Sequence, residues 1–97
     1  MYGRLSTYHG DDADSLVRGF ESVSEELEQV DGFSHAYFLV DRNTGKAASL
    51  TLWESEEALA ASSAKADELR RRGTEPSGAS IDAVDNFEVV MRVGSPR

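Results

Sequence analysis

Two alternating segments joined by a short turn constrain the fold of this chain most strongly. Residues 33–41 and 46–54 alternate in hydrophobicity, and the turn Arg42-Asn43-Thr44-Gly45 separates them. This pattern predicts an antiparallel hairpin. Ser55 then caps a predicted helix that ends in Arg70-Arg71-Arg72-Gly73. We interpret the three arginines as compensating the negative end of the helix dipole rather than as a site for an anionic ligand.

The remaining segments complete the order βαββαβ. Residues 2–9 alternate and stop at Gly10, which predicts a first strand. The acidic stretch 11–14 supplies an N-cap for a helix with one apolar stripe. Residues 81–93 predict a long last strand. We therefore expect a single α+β domain over residues 1–97, with residues 94–97 as a loose tail.

The length of the hairpin loop decides which side chains share a face of the sheet. A three-residue loop with Gly45 in the left-handed region would place Asp41 opposite Ala47. The face toward the helices would then be apolar, and it would contain Ala36, Phe38, Val40, Ala48, Leu50 and Leu52. The other face would contain His35, Tyr37, Leu39, Ser49, Thr51 and Trp53. A two-residue or four-residue loop would mix polar and apolar residues on both faces, so this sorting favours the three-residue loop.

The first and last strands are assigned by the same reasoning, and the result predicts a partner. The helix side would gain Leu5, Thr7, Phe87, Val89 and Met91. The opposite side would gain Arg4, Ser6, Tyr8, Asn86, Glu88, Val90 and Arg92. Its aromatic and apolar members would form an exposed patch that is unusual for a soluble monomer. A chain of 97 residues also buries a limited core. We therefore expect a homodimer in which two sheets pack face to face.

Composition argues against several classes of function. Ten Lys and Arg residues against eighteen Asp and Glu residues give a formal charge of −8, which opposes binding to nucleic acid or to an anionic membrane. The absence of cysteine excludes disulfides, thiolate metal sites and thiol nucleophiles. With no long apolar run, neither membrane insertion nor secretion is expected, and the cytoplasm is the expected location.

Several short runs together carry a family resemblance. They are Gly32-Phe33, Val40-Asp41, Thr44-Gly45-Lys46, Leu52-Trp53-Glu54-Ser55 and Phe87-Glu88-Val89. With them the chain resembles the antibiotic biosynthesis monooxygenase-like family of the dimeric α+β barrel superfamily. The resemblance implies ferredoxin-like subunits, each with an antiparallel four-stranded sheet, that pair sheet to sheet as a dimeric α+β barrel. Members include cofactor-independent oxygenases, haem-degrading enzymes, isomerases and proteins of no known activity.

The haem-degrading branch of the family fits this sequence poorly. Its members use an Asn on the first strand, a Trp near the end of the third strand and an iron-ligating His on the second helix. Trp53 matches, but the first strand offers Ser6 and Thr7, and residues 55–72 contain no His. Without an axial ligand haem chemistry is not expected. No cofactor and no metal are predicted.

The cofactor-independent oxygenase branch needs a dry pocket, a base and a group that stabilises an anion. Resemblance and residue chemistry suggest His35 as the base and Arg4 as the group that stabilises a phenolate or peroxide anion. The predicted substrate-binding residues are Trp53, Tyr37, Tyr8, Thr51, Leu39 and Glu88. Each candidate also has a structural interpretation, in which Arg4 and Glu88 neutralise each other and Trp53 fills the barrel. Two functions are left open. The first is a cofactor-independent monooxygenase that acts on an aromatic metabolite, and the second is a non-catalytic ligand-binding or stress-associated protein of the same fold. Both would bind a small apolar or aromatic ligand.

Overall fold

The structure, a computed structural model, describes residues 1–94 and contains one antiparallel four-stranded sheet with helices packed on one face. Its elements are β1 (Tyr2–His9), α1 (Ala13–Glu28), β2 (Phe33–Asp41), β3 (Lys46–Trp53), α2 (Glu56–Ala61), α3 (Ser63–Thr74) and β4 (Ser80–Glu88), with a 3-10 turn at Glu75–Ser77. The order of strands across the sheet is β2-β3-β1-β4. The predicted α+β, ferredoxin-like βαββαβ architecture is confirmed. Of the loose tail predicted at residues 94–97, residues 95–97 lie outside the described residues.

Two predicted elements differ in extent. The single helix predicted over residues 55–72 is divided at Ser62, whose hydroxyl donates a hydrogen bond of 2.8 Å to the carbonyl oxygen of Leu59. Serine commonly competes for helix carbonyls in this way. The last strand ends at Glu88 rather than Val93, because its partner β1 begins at Tyr2, which is paired with Glu88.

The predicted three-residue hairpin loop is wrong by one residue. Asp41 pairs with Lys46 and not with Ala47, so the loop has four residues. The backbone N–H of Gly45 donates to the carbonyl oxygen of Asp41 at 3.0 Å, and the N–H of Asn43 donates to the Asp41 carboxylate at 2.9 Å. Gly45 has a φ of 76°, as predicted for a left-handed residue. The Asp41 side chain thus stabilises the wider turn.

This shift of one residue reverses the predicted faces of β3, and the faces of β1 and β4 are reversed with it. On β2 the assignment is correct, with Ala36, Phe38 and Val40 toward the helices. The helix face of the other strands carries Tyr2, Arg4, Ser6, Tyr8, Ala47, Ser49, Thr51, Trp53, Val84, Asn86 and Glu88. The outer face carries Leu5, Thr7, Leu50, Leu52 and Phe87 together with His35, Tyr37 and Leu39. The helices therefore cover a mixed polar and apolar face rather than an apolar one.

The hydrophobic core lies between this mixed face and the helices. One cluster surrounds Trp53, which is fully buried, and includes Val23, Leu27, Leu59 and Leu69. A second cluster consists of Tyr8, Leu16, Phe20 and Ala47. The apolar stripe predicted for α1 therefore faces the core. Within residues 1–94, none of the helices is long and apolar enough to cross a membrane.

Candidate functional site

A small cavity lies between the mixed face of the sheet and helices α1 and α3. Its volume is about 40 Å³, room for roughly three water molecules. Strand side chains supply most of the polar lining, and helix side chains supply most of the apolar lining. The lining residues are Arg4, Ser6, Tyr8, Phe38, Ser49 and Thr51 from the sheet and Phe20, Val23, Leu27, Ala66, Leu69 and Arg70 from the helices.

Arg4 is the most buried charge at this cavity. It lies on the central strand β1 and is only 4% exposed. Its Nη2 donates to the carbonyl oxygen of Leu59 at 2.7 Å, and its Nη1 donates to Ser62 Oγ at 3.2 Å. The guanidinium carbon is 5.7 Å from the centroid of the Trp53 ring, which is within cation–π distance. Arg4 thus holds the end of α2 against the sheet.

The charge of Arg4 has no carboxylate partner. Within residues 1–94 no carboxylate oxygen lies within 4.0 Å of its guanidinium nitrogens. The predicted neutralising pair with Glu88 does not form, because Asn86 is opposite Arg4 in the sheet. Burial lowers the pKa of the Arg4 guanidinium below its usual value, and the positive charge of Arg70 lowers it further. The site therefore holds a positive charge that no described carboxylate compensates.

Arg70 adds a second guanidinium to the cavity wall. Its side chain is 8% exposed, its Nε donates to Ser6 Oγ at 3.1 Å, and its Nη1 donates to Asp67 Oδ1 at 3.2 Å. Sequence reasoning did not assign it to the site. Helical spacing could have found it, because Arg70 follows the inward-facing Ala66 by four residues and so lies on the same side of the helix.

Aromatic rings form the other end of the cavity. Phe38 stacks on Phe20 with 4.7 Å between ring centroids, and Tyr8 lies 5.4 Å from Phe20. The Tyr8 hydroxyl and Ser49 Oγ share a buried hydrogen bond of 2.8 Å. Phe38 is 38% exposed, so one side of this aromatic cluster reaches solvent. Sequence reasoning placed Phe38 on the correct face but did not assign it or Phe20 to the site.

Two open grooves adjoin the cavity. The cationic groove, with a volume of about 400 Å³, is lined by Arg4, Ser63, Ala64, Asp67, Arg70, Val84 and Asn86. A second groove of about 410 Å³ shares Leu27 and Phe38 with the cavity and lies along the edge strand β2. The cavity is therefore bordered by arginine side chains toward one groove and by Phe38 and Leu27 toward the other. Movement of Phe38 would enlarge it toward solvent.

Four of the eight predicted site residues lie at or beside this cavity. Arg4, Tyr8 and Thr51 line it, and Trp53 packs beside Arg4. The indole Nε1 of Trp53 donates to Thr51 Oγ1 at 2.9 Å. These residues were predicted on the outer face, and the corrected register places them under the helices.

The other four predicted residues do not join them. His35 is opposite Leu52 rather than next to Trp53, and its Nδ1 lies 2.8 Å from Ser34 Oγ. Tyr37 and Leu39 occupy the outer face and are more than half exposed. Glu88 lies at the end of the sheet in a separate pocket, where Glu56 and, to a lesser extent, Glu88 raise the pKa of Tyr2. The predicted grouping of His35, Tyr37 and Leu39 with Arg4 is therefore wrong.

The fold is that of the antibiotic biosynthesis monooxygenase-like proteins, as the resemblance implied. SnoaB, a cofactor-independent oxygenase from Streptomyces nogalater, superposes with a TM-score of 0.73 at 12% identity over 97% of each chain. A monooxygenase of Streptomyces coelicolor, ActVA-Orf6, solved in complex with nanaomycin D, superposes with a TM-score of 0.67 at 17% identity, over 97% of this chain and 92% of that chain. The haem-degrader MhuD from Mycobacterium tuberculosis superposes with a TM-score of 0.66 at 24% identity, over 97% of this chain and 100% of that chain. Identities this low show the fold alone.

A curated relative is more similar in sequence. The uncharacterized protein Rv2558 of Mycobacterium tuberculosis is 36% identical over 83 residues, which is 80% of this chain. The chain spans 35% of the length of that relative. No family model matches the chain.

Proposed function

We propose that this chain forms the substrate site of a cofactor-independent monooxygenase that acts on an aromatic metabolite. The observation that carries this proposal is a cavity with aromatic walls beside a buried guanidinium that has no carboxylate partner within residues 1–94. Aromatic walls select a flat ring, and a preorganised cation stabilises negative charge that develops on it. The shared fold of SnoaB, described as a cofactor-independent oxygenase, supports the same reaction class.

The chemistry would begin from the ionised form of a phenol. Its electron-rich ring carbon takes up dioxygen to give a peroxide, and loss of water leaves one oxygen atom on the ring carbon as a carbonyl. Arg4 stabilises the phenolate and the peroxide anion. The predicted base His35 is not among the residues that line the cavity, so we assign the first ionisation to solvent, with Arg4 favouring the bound anion.

The cavity must open to admit such a substrate. Pockets for drug-sized molecules measure about 300 Å³ or more, whereas this one measures about 40 Å³. Phe38 is the residue most suited to move, because it lies on an edge strand, is partly exposed and separates the cavity from the second groove, the one along β2. We propose that Phe38 turns outward when substrate enters.

A second candidate is a binding protein without catalysis. It is favoured by one observation, that the cavity lining supplied by the described residues contains no His, Asp or Glu to transfer a proton. The same residues would then bind an aromatic ligand without converting it.

One experiment separates the two candidates. Purified protein is mixed with a panel of polycyclic phenols, and both Trp53 fluorescence and dioxygen uptake are recorded. Ala66→Leu fills the cavity, and Ala61→Leu, exposed and outside it, is the matched control. We expect one phenol to quench Trp53 fluorescence and to cause dioxygen uptake in the wild type and in Ala61→Leu. In Ala66→Leu the dioxygen uptake should be at least tenfold lower. Quenching without dioxygen uptake would support the binding protein, and no response to any phenol would overturn both.

We also propose that the functional unit is a homodimer paired through the outer sheet face. Tyr37, Leu39 and Phe87 are each more than half exposed on this face. Large exposed apolar side chains concentrated on one face mark an interaction surface.

A further inference from the structure

We propose that Arg4 and Arg70 bind a carboxylate group of the substrate, so that the substrate class is an aromatic carboxylic acid. This inference rests on the proposed function, in that it takes the cavity as the place where the aromatic ring binds. It adds the group by which the ring is held and the residues that hold it.

The charge balance of the cavity wall is the first argument. Arg4 is buried and the Arg70 side chain is 8% exposed, and the one carboxylate in contact with either of them within residues 1–94 is that of Asp67. Two guanidinium groups against one carboxylate leave an excess of one positive charge. Burying an ion without a counter-ion is energetically unfavourable. The chain as a whole has a net charge of −8, so the shortage of carboxylates is particular to this site. A ligand with a single negative charge would restore the balance.

Free hydrogen-bond donors are the second argument. Arg4 uses Nη1 and Nη2, and Arg70 uses Nε and Nη1. In the described part of the chain, Arg4 Nε and Arg70 Nη2 have no protein acceptor, and neither nitrogen is a buried atom. One donor from each guanidinium can bind one of the two oxygens of a carboxylate. The donors needed for an added carboxylate are therefore still available.

The position of the two arginines is the third argument. Both line the cavity, and both also line the cationic groove, which opens to solvent. A carboxylate bound between them would be reached from the groove while the attached ring occupied the aromatic cavity. The hydroxyl of Ser63 and the side chain of Asn86 line the same groove and add polar contacts.

Asp67 contacts Arg70 and lines the same groove. Its side chain is 60% exposed, it accepts a hydrogen bond from Arg70 Nη1 at 3.2 Å, and it lies 3.8 Å from Nε of the exposed Arg71. A contact this exposed is weak. The Asp67 charge would repel a substrate carboxylate bound in the same groove, so its removal should favour the ligand.

The test is calorimetric titration with three naphthalene probes: 3-hydroxy-2-naphthoic acid, its carboxamide and 1-naphthyl phosphate. We expect the wild type to bind the acid at least tenfold more tightly than the amide. Arg70→Gln should reduce this ratio to less than threefold, and Arg71→Gln, the neighbouring exposed arginine, should keep it. Asp67→Asn should tighten binding of the acid several-fold and leave the amide unchanged.

The outcomes separate this inference from the proposed function. Equal binding of acid and amide would overturn the carboxylate site and leave the aromatic cavity intact. No binding of any probe by folded protein would overturn the cavity as a ligand site. Preference for the phosphate would replace the carboxylate with a phosphate ester. If Arg70→Gln fails to fold, Asp67→Asn still decides, because Asp67 is exposed and its loss leaves the core unchanged.

Discussion

At the scale of single residues, polar side chains are placed where the pattern of the strands predicts apolar ones. Ser6, Ser49 and Thr51 lie under the helices, and each takes part in a hydrogen bond there. Within residues 1–94 no buried side-chain polar atom lacks a hydrogen-bond partner. The cost of placing these groups in the core is therefore offset by their hydrogen bonds.

The Tyr8–Ser49 hydrogen bond provides the first prediction. Tyr8→Phe leaves the buried Ser49 hydroxyl without this partner, and we expect a loss of about 1 to 2 kcal/mol in the free energy of unfolding. Ser49→Ala should cost a similar amount. The double variant should cost clearly less than the sum, since neither group is then left unpaired. Urea unfolding of the four proteins measures this cycle, and strictly additive losses would contradict the coupling.

Glu26 provides a prediction of pH dependence. Hydrogen bonds from Arg72 and Lys65 lower the pKa of Glu26 from 4.5 to about 2. A carboxyl group with a lowered pKa in the folded state stabilises fully above the unfolded pKa and loses that contribution as pH falls through the folded pKa. The urea midpoint of the wild type should therefore fall toward that of Glu26→Gln between pH 4.5 and pH 2. The exposed Glu25→Gln is the control, and a constant difference across this range would contradict the assignment.

At the scale of elements, the approach of α1 to α3 positions the cavity. Gly19 of α1 faces Gly73 of α3, and a Cβ added at Gly19 would lie 1.9 Å from the carbonyl oxygen of Gly73. Only glycine permits this distance. Arg72 of α3 also binds Glu26 of α1 at 2.7 Å, which holds the same pair of helices together. Both contacts keep α3, and with it Arg70, over the sheet.

The two glycines give a matched pair of variants. Gly19→Ala should push the helices apart and lower the free energy of unfolding by about 1 to 3 kcal/mol. Gly73→Ala adds a methyl group at an ordinary distance of 3.5 Å from the Gly19 carbonyl oxygen. Because alanine favours the helix, this variant should be neutral or more stable by up to about 1 kcal/mol. Urea unfolding measures both, and equal effects would show that the helices do not approach as described.

Elements were easier to predict than their register. The stripe on α1 and the bounds of β1 follow from local periodicity and were predicted correctly, whereas the faces of β1 were reversed together with those of β3. The hairpin register depended on counting loop residues, and the Asp41 side chain extended the loop by one. The three-residue loop was preferred because it separates polar from apolar residues cleanly. The true helix face is mixed, because it contains the polar residues of the candidate site. Functional residues are the ones expected to break such patterns.

At the scale of the whole molecule, no element within residues 1–94 covers the outer sheet face. The exposed side chains of Tyr37 and Leu39 on β2 and Phe87 on β4 lie on it. The strands that carry them are the two edges of the sheet, so the apolar residues extend across its full width. A second copy of the chain, with the same face, is the partner that we propose.

This proposal predicts a dimer that single charges disrupt. Leu39→Lys would bring two lysines into the interface of a symmetric pair, so we expect a monomer. Ala61→Lys changes the charge by the same amount on an exposed helix position and should remain dimeric. Sedimentation velocity measures the mass of each. A monomeric wild type at every concentration tested would contradict the sheet-to-sheet dimer.

The sequence by itself determined the order of elements, the helix stripe and the fold class, because these depend on periodicities of a few residues. It also identified Arg4, Tyr8, Thr51 and Trp53 as candidates from their chemistry. Only the tertiary structure decided which of them meet, since one added loop residue turned β3 over and moved these side chains under the helices. The presence of Arg4 and Arg70 at one cavity was likewise decided by the packing of α3 on the sheet, which brings Arg70 to Ser6, a residue far away in the chain.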